Sequence, residues 1–294
     1  MAIPANSGYN FTNQLHNDIY AAINPTKSEL SQPSKVVLIT GAGRGIGRSI
    51  ALRYAESGVA CLILCARTMS QLEATEKDIE AINPDVRVRV FAIDVTDEQN
   101  VVSLAQTVRE EEGRLDILVN NAGNSPPWAP IAETRVESYW QTFELNLKGI
   151  YLMLKSLLPL LAETVKKENI AVDVVNLTSI GANVLLPGAS AYGVSKLAVS
   201  RLTEFVKLEY GEQGVNCFAV HPGGVPTELS NGIAPPELLT DTPDLAGGFV
   251  VWLTKGQRTW LSGRYVSATW DVAELLTMED EIVAGEKLKV RMIV

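Results

Sequence analysis

Val36-Val37-Leu38-Ile39-Thr40-Gly41-Ala42-Gly43-Arg44-Gly45-Ile46-Gly47 is the stretch that decides the fold. The unbroken apolar run Val36–Ile39 predicts a strand over Val36–Thr40 that is covered on both faces. A turn carrying Gly41, Gly43, Gly45 and Gly47 follows at once, and the chain then reads as a helix over Gly47–Ser57. Glycines let backbone amides come close to an anion, and a helix N-terminus adds free N–H donors and the positive end of its dipole. Strand, glycine turn and helix in immediate succession predict a phosphate cradle that opens a doubly wound α/β sheet. The spacing departs from G-x-G-x-x-G, because Ile46 stands where the last glycine would be.

Outward from this unit, short apolar runs alternate with long amphipathic ones. Further strands are expected at Ala60–Ala66, Arg87–Ile93, Asp116–Asn120, Val172–Ser179 and Val215–His221, with a short last one near Arg264–Ser267. Helices are expected at Met69–Ile82, Asp97–Glu112, Glu137–Lys166 and Ala189–Tyr210. This alternation predicts one α/β domain with a doubly wound parallel sheet. Residues 1–34 are polar, hold Pro4, Pro25 and Pro33, and read as an extended N-terminal arm. The catalytic domain is then 35–294, including a substrate loop at 224–242 and a C-terminal tail at 268–294.

Composition narrows the function. The 294 residues carry 25 Lys plus Arg against 34 Asp plus Glu, a formal net charge of −9, which argues against a nucleic-acid partner. Cys61, Cys65 and Cys217 lie in apolar runs without metal-like spacing, as free core thiols in a reducing compartment do. With two histidines and no ligand cluster, no metal is expected. The apolar stretch Ile150–Leu161 is broken by Lys155 and Pro159, so no membrane span is expected. The first residues lack a charged-then-apolar leader pattern, and the expected address is cytoplasmic. The sequons at Asn10 and Asn176 read as chance matches.

The second strand ends Cys65-Ala66-Arg67, where a carboxylate would bind the ribose 2′-hydroxyl of NAD. Ala66 removes that carboxylate, and Arg67 offers a planar fork suited to a 2′-phosphate, with Arg44 as a second positive contact. NADP(H) is therefore expected, and NAD(H) less so.

Ser179 ends the fifth strand, and Tyr192-Gly193-Val194-Ser195-Lys196 lies in the helix beyond it. Residues four apart share a helix face, so Tyr192 and Lys196 can point together toward the strand ends. A phenol titrates near 10, and an adjacent ammonium stabilises the phenolate. Bringing it into the neutral range takes roughly 3–4 kcal/mol of differential stabilisation.

Together these motifs resemble the short-chain dehydrogenase/reductase family over roughly Lys35–Ser267, in the expected order. The resemblance implies a Rossmann fold and an NADP(H)-dependent oxidoreductase acting on a carbonyl or alcohol. It implies that Tyr192 is the acid/base, that Ser179 polarises the substrate oxygen, and that Lys196 binds the nicotinamide ribose and lowers the tyrosine pKa. Asn146, in Asn146-Leu147-Lys148-Gly149, matches the asparagine that positions a relay water. Thr40, Gly41, Gly43, Arg44, Gly45, Ile46 and Gly47 match the T-G-x-x-x-G-x-G cofactor loop. Asp94, beside Val95, matches the adenine contact, and Asn121, Ala122 and Gly123 the N-A-G turn beside the cofactor. Pro222, Gly223, Val225 and Thr227 match the segment that contacts the nicotinamide carboxamide. His221 reads as structural, and His16 has no visible partner.

On the substrate side, Leu185, Trp128 and Leu229 suggest an apolar wall, and the stretch from Glu228 to Asp241 reads as a lid without Arg or Lys. A small, mostly apolar substrate is expected. The rival readings are an NADP-requiring epimerase, dehydratase or cyclase, and a non-catalytic NADP-binding protein. The arm and tail resemble extensions of fungal members of the family, some of them in secondary metabolism. The helices at Glu137–Lys166 and Ala189–Tyr210 carry more apolar positions than one sheet face covers. The resemblance implies that they pair across a twofold axis, giving a homodimer or homotetramer.

Overall fold

A computed structural model describes residues 4, 7–230, 236–256 and 258–292. Seven strands form one sheet in the order β3-β2-β1-β4-β5-β6-β7: β1 Val36–Thr40, β2 Cys61–Ala66, β3 Arg87–Ala92, β4 Ile117–Asn120, β5 Val172–Leu177, β6 Val215–His221 and β7 Arg264–Ser267. Every pairing is parallel. The order reverses between β1 and β4, which leaves a crevice at the carboxyl ends of those strands.

The helices are α1 Gly45–Glu56, α2 Met69–Ile82, α3 Glu98–Glu111, α4 Val136–Phe143, α5 Gly149–Glu168, α6 Ser190–Tyr210, α7 Pro243–Lys255, α8 Val272–Thr277 and α9 Glu279–Ala284. They cover both faces of the sheet, and the period-2 alternation of β1 shows how. Val37 and Ile39 pack into a core with α1, α2 and α7, while Val36 and Leu38 pack into the opposite core with α3, α5 and α6. Asp97 caps α3 by accepting from the Asn100 N–H at 3.1 Å. Thr242 caps α7 in the same way, with Pro243 at its first position.

Three departures from the sequence reading have physical causes. The helix expected over Glu137–Lys166 is α4 and α5 joined by a π-turn at Glu144–Lys148. Such turns re-aim side chains, and this one holds Asn146. The fifth strand stops at Leu177 instead of Ser179, because Ser179 turns away to cap a short 3-10 turn at Ile180–Ala182. Residues 7–34 do not stand away from the domain: Ile23 and Leu30 are buried in the α1/α7 core. Burying each such side chain contributes roughly 1.5–3 kcal/mol, which holds the segment down. His16 there does have a partner, Asp271 Oδ2 at 2.9 Å, and it stacks on Tyr20. The Val136–Glu168 stretch is long and apolar enough to cross a membrane, yet 61% of its most apolar window is buried inside this fold.

Candidate active site

The crevice is a cleft of about 760 Å³ whose floor is the glycine turn. Gly41 has φ +67° and Gly45 φ +55°, left-handed values that disfavour a side chain. A Cβ on Gly47 would lie 2.3 Å from the Gly41 carbonyl oxygen, so only glycine lets the first turn of α1 close on the strand end. The turn is held from behind. Thr40 Oγ1 accepts from the Asn121 and Ala122 N–H groups at 3.0 and 3.1 Å. The Asn121 amide donates to the Thr40 carbonyl at 2.9 Å. Thr40 and Gly47 therefore shape the cleft without lining it, whereas Gly41, Gly43, Arg44, Gly45 and Ile46 line it.

Arg67, on the wall beyond β2, is exposed and has no carboxylate partner among the described residues. Arg44 pairs with Glu228 across the cleft mouth. Asp94 and Val95 line the adjoining wall, and Asp94 Oδ1 is tied to the Thr96 N–H at 2.9 Å. Asn121, Ala122 and Gly123 complete that side. Opposite them stand Pro222, Gly223, Val225 and Thr227. Gly223 has φ +98°, and Thr227 is fixed by the Ser230 hydroxyl, which accepts from its N–H at 2.8 Å.

Ser179, Tyr192 and Lys196 meet at the inner end of the same cleft. The Ser179 Oγ accepts from the Gly181 N–H at 3.0 Å, and Ser179 Oγ and the Tyr192 ring both lie against Gly181. Lys196 Nζ lies 5.8 Å from the Tyr192 ring centroid and donates to the Leu177 carbonyl at 2.8 Å. Burial draws the Lys196 amine down to about 8. Burial also pushes the Tyr192 phenol up, opposed by the Ser179 hydroxyl. The lowering expected from the lysine is not found, since taking the phenolate out of water costs more than the Ser179 hydroxyl returns. Asn146 is fully buried behind this group. Its amide donates to the Asn124 carbonyl at 2.9 Å and to Ser195 Oγ at 3.0 Å, and its Oδ1 accepts from the Asn124 N–H.

Trp128 and Leu229 line the substrate wall, but Leu185 does not. It is 94% exposed, and its neighbours Val184 and Leu186 face the cleft instead. Gly232 and Pro235 of the lid stretch lie outside the described residues. Sequence reasoning missed Ser230 and Asp241, whose side-chain oxygens accept from the Thr227 and Gly224 N–H groups. Their only signal was a short polar side chain near a turn, and that is shared by many loop residues. His221 lines the cleft, but burial draws it down to about 4, so it stays neutral. Burial raises all three thiols, leaving them unreactive.

With this geometry in place, comparison with known proteins is informative. The short chain dehydrogenase family model matches residues 35–237. The short chain dehydrogenase mpl6 of Monascus purpureus is 45% identical over 302 residues, covering 100% of both chains. The short chain dehydrogenase pigC of Monascus ruber is 39% identical, covering 97% of this chain and 94% of that one. Among solved structures, the RhlG/NADP active-site complex of Pseudomonas aeruginosa matches with a TM-score of 0.74 at 26% identity, over 82% of this chain and 97% of that one. Sheet order, glycine cradle and matched sequence agree: the chain belongs to the short-chain dehydrogenase family, as an oxidoreductase of the kind that binds nicotinamide cofactors.

Proposed function

We propose that this protein is an NADP(H)-dependent ketoreductase or secondary alcohol dehydrogenase with Tyr192 as acid/base. The observation that carries the reading is convergence: Ser179, Tyr192 and Lys196 open onto the cleft whose other end holds the glycine cradle, Arg44 and Arg67. The cradle fits a dinucleotide, because Gly41, Gly43 and Gly45 line the cleft where α1 begins, so that bare backbone and the helix N-terminus face an anion there. Preference for the 2′-phosphate rests on Arg67, on Ala66 in place of a carboxylate, and on Arg44.

The nicotinamide supplies or accepts the hydride. Ser179 Oγ holds the carbonyl oxygen, and Tyr192 Oη delivers the proton to it during reduction or removes it during oxidation. Lys196, titrating near 8, is mostly a cation at neutral pH and opposes negative charge left on the phenol oxygen. Asn146 fixes the Asn124 backbone and the Ser195 hydroxyl beside this group. The walls formed by Trp128, Val184, Leu186, Leu229, Leu238 and Leu239 suit a small, mostly apolar carbonyl compound. Screening the purified protein with NADPH and ketones, and with NADP⁺ and alcohols, tests the reading through the ultraviolet absorbance of reduced nicotinamide. Net cofactor turnover is expected. Conversion of substrate without net turnover would make the protein an epimerase or dehydratase, and cofactor binding without conversion would make it a sensor.

A further inference from the structure

The N-terminal segment is fastened at both ends to loops that bracket the cleft, although none of residues 7–18 lines it. At one end, the Asn183 amide donates to the Ser7 carbonyl at 3.1 Å. Asn183 closes the 3-10 turn Ile180–Ala182, and the cap of that turn is Ser179. At the other end, the Thr242 N–H donates to the Asn17 carbonyl at 2.8 Å, and Thr242 Oγ1 donates to Asp18 Oδ1 at 2.6 Å. Thr242 adjoins Asp241, whose carboxylate accepts from the Gly224 N–H at 2.6 Å and so closes the turn that begins at Pro222-Gly223.

Between these ends the segment is tied to the chain beyond β7. Trp270 Nε1 donates to the Gly8 carbonyl at 2.9 Å, and the His16 N–H donates to the Thr269 carbonyl at 2.8 Å. Glu274 accepts from the Asn13 N–H at 2.8 Å. Ordering a polar segment costs conformational entropy at every residue, so a solvated tail would not hold this many bonds across the whole length of the chain.

We propose that residues 7–18 are a positioning strap: they fix the distance between the Ser179 turn and the Gly223 turn, and thereby the shape of the substrate end of the cleft. The strap touches neither substrate nor cofactor. It acts on the Ser179 turn through Asn183 and on the Gly223 turn through Thr242 and Asp241.

Asp18 is the informative position, because it is exposed and outside the cleft. Asp18→Ala removes the acceptor for Thr242, Asp18→Asn keeps an oxygen there, and Asn183→Ala removes the other anchor. Hydrogen exchange on the full chain should rise in both turns, around 179–183 and 222–230, for Asp18→Ala and for Asn183→Ala, while Asp18→Asn matches the wild type. The kinetic arm rests on the oxidoreductase reading. There, kcat/KM for the carbonyl should fall about threefold to tenfold in Asp18→Ala, the worth of one hydrogen bond. Exchange needs no turnover, so it decides the strap even if no carbonyl is reduced. The proposal is overturned if Asp18→Ala leaves exchange in the Ser179 turn at the wild-type level, or if Asp18→Ala and Asp18→Asn behave alike.

Discussion

Tyr192 lies partly open to the cleft that Ser179 also lines, with the Lys196 amine 5.8 Å from its ring centroid. Replacing it with phenylalanine keeps the ring and deletes the proton. Tyr192→Phe is therefore expected to lower turnover by about 10²–10⁴-fold while leaving NADPH binding nearly intact. Steady-state rates beside a cofactor titration check it, and retention of half the wild-type rate would remove Tyr192 from the role. At the cofactor end, Ala66→Asp with Arg67→Ala places a carboxylate on the ribose and removes the phosphate fork. A charged hydrogen bond contributes roughly 1.5–3 kcal/mol, so the ratio of kcat/KM for NADPH over NADH should fall at least about tenfold. A wild type that already prefers NADH would contradict the reading of β2. His221 gives a pH dependence with a definite sign. Burial lowers it from 6.5 to about 4, so the unfolded chain binds the proton more readily than the folded one. The contribution of His221 to stability is then constant above pH 6.5 and falls as pH drops toward 4, by about 3 kcal/mol. Denaturant midpoints at the two pH values should show a smaller drop in His221→Gln than in the wild type; equal drops would show that other groups carry the loss.

At the scale of the element, the first βα unit was legible because its chemistry is local. Glycine at position 47 is demanded by a carbonyl 2.3 Å from where a Cβ would sit, a constraint the residue type itself records. Gly47→Ala must push α1 away from Gly41. Backbone strain of about 1–3 kcal/mol translates into a loss of roughly tenfold or more in NADPH affinity, measurable by calorimetric titration. An alanine variant that binds as tightly as wild type would show that the cradle is more pliant than its geometry implies. Parallel strands were equally readable, since an apolar run covered on both faces has few other interpretations. The π-turn at Glu144–Lys148 was not, because one extra residue in a helical turn leaves the apolar period nearly unchanged. Leu185 was misplaced for a related reason. Val184, Leu185 and Leu186 are all apolar, and in an irregular loop only the backbone path decides which of them turn inward. The N-terminal segment was the least legible element. Its anchors are single polar contacts to residues such as Asn183 and Asp271, and no periodic pattern announces them.

For the whole molecule, the open question is what covers the outer face of α4, α5 and α6. Val194, Leu197, Phe205 and Leu208 recur along one side of α6, exposed by 36–76%, with Val136, Trp140 and Tyr151 exposed on α4 and α5. Lone exposed apolar side chains need no explanation, but a row of seven on adjoining helices marks an interaction surface. Among the described residues, the N-terminal segment lies elsewhere, since Ile23 and Leu30 pack into the core on the opposite side of the sheet. Among the described residues, the C-terminal chain hydrogen-bonds α6 at its polar side, where Arg201 and Glu204 hold Val290. We propose that a second copy covers it, with the two helical faces packed across a twofold axis. A net charge of −9 opposes this only weakly, since repulsion between separated surface charges is screened at ordinary salt. Light scattering after gel filtration at micromolar concentration should therefore give a multiple of two of the 31.9 kDa subunit mass. Phe205→Glu with Leu208→Glu should reduce it to one subunit, because each carboxylate would have to be desolvated without a partner. An active wild-type enzyme that scatters as a single subunit would sink the prediction and leave these helices as an exposed face.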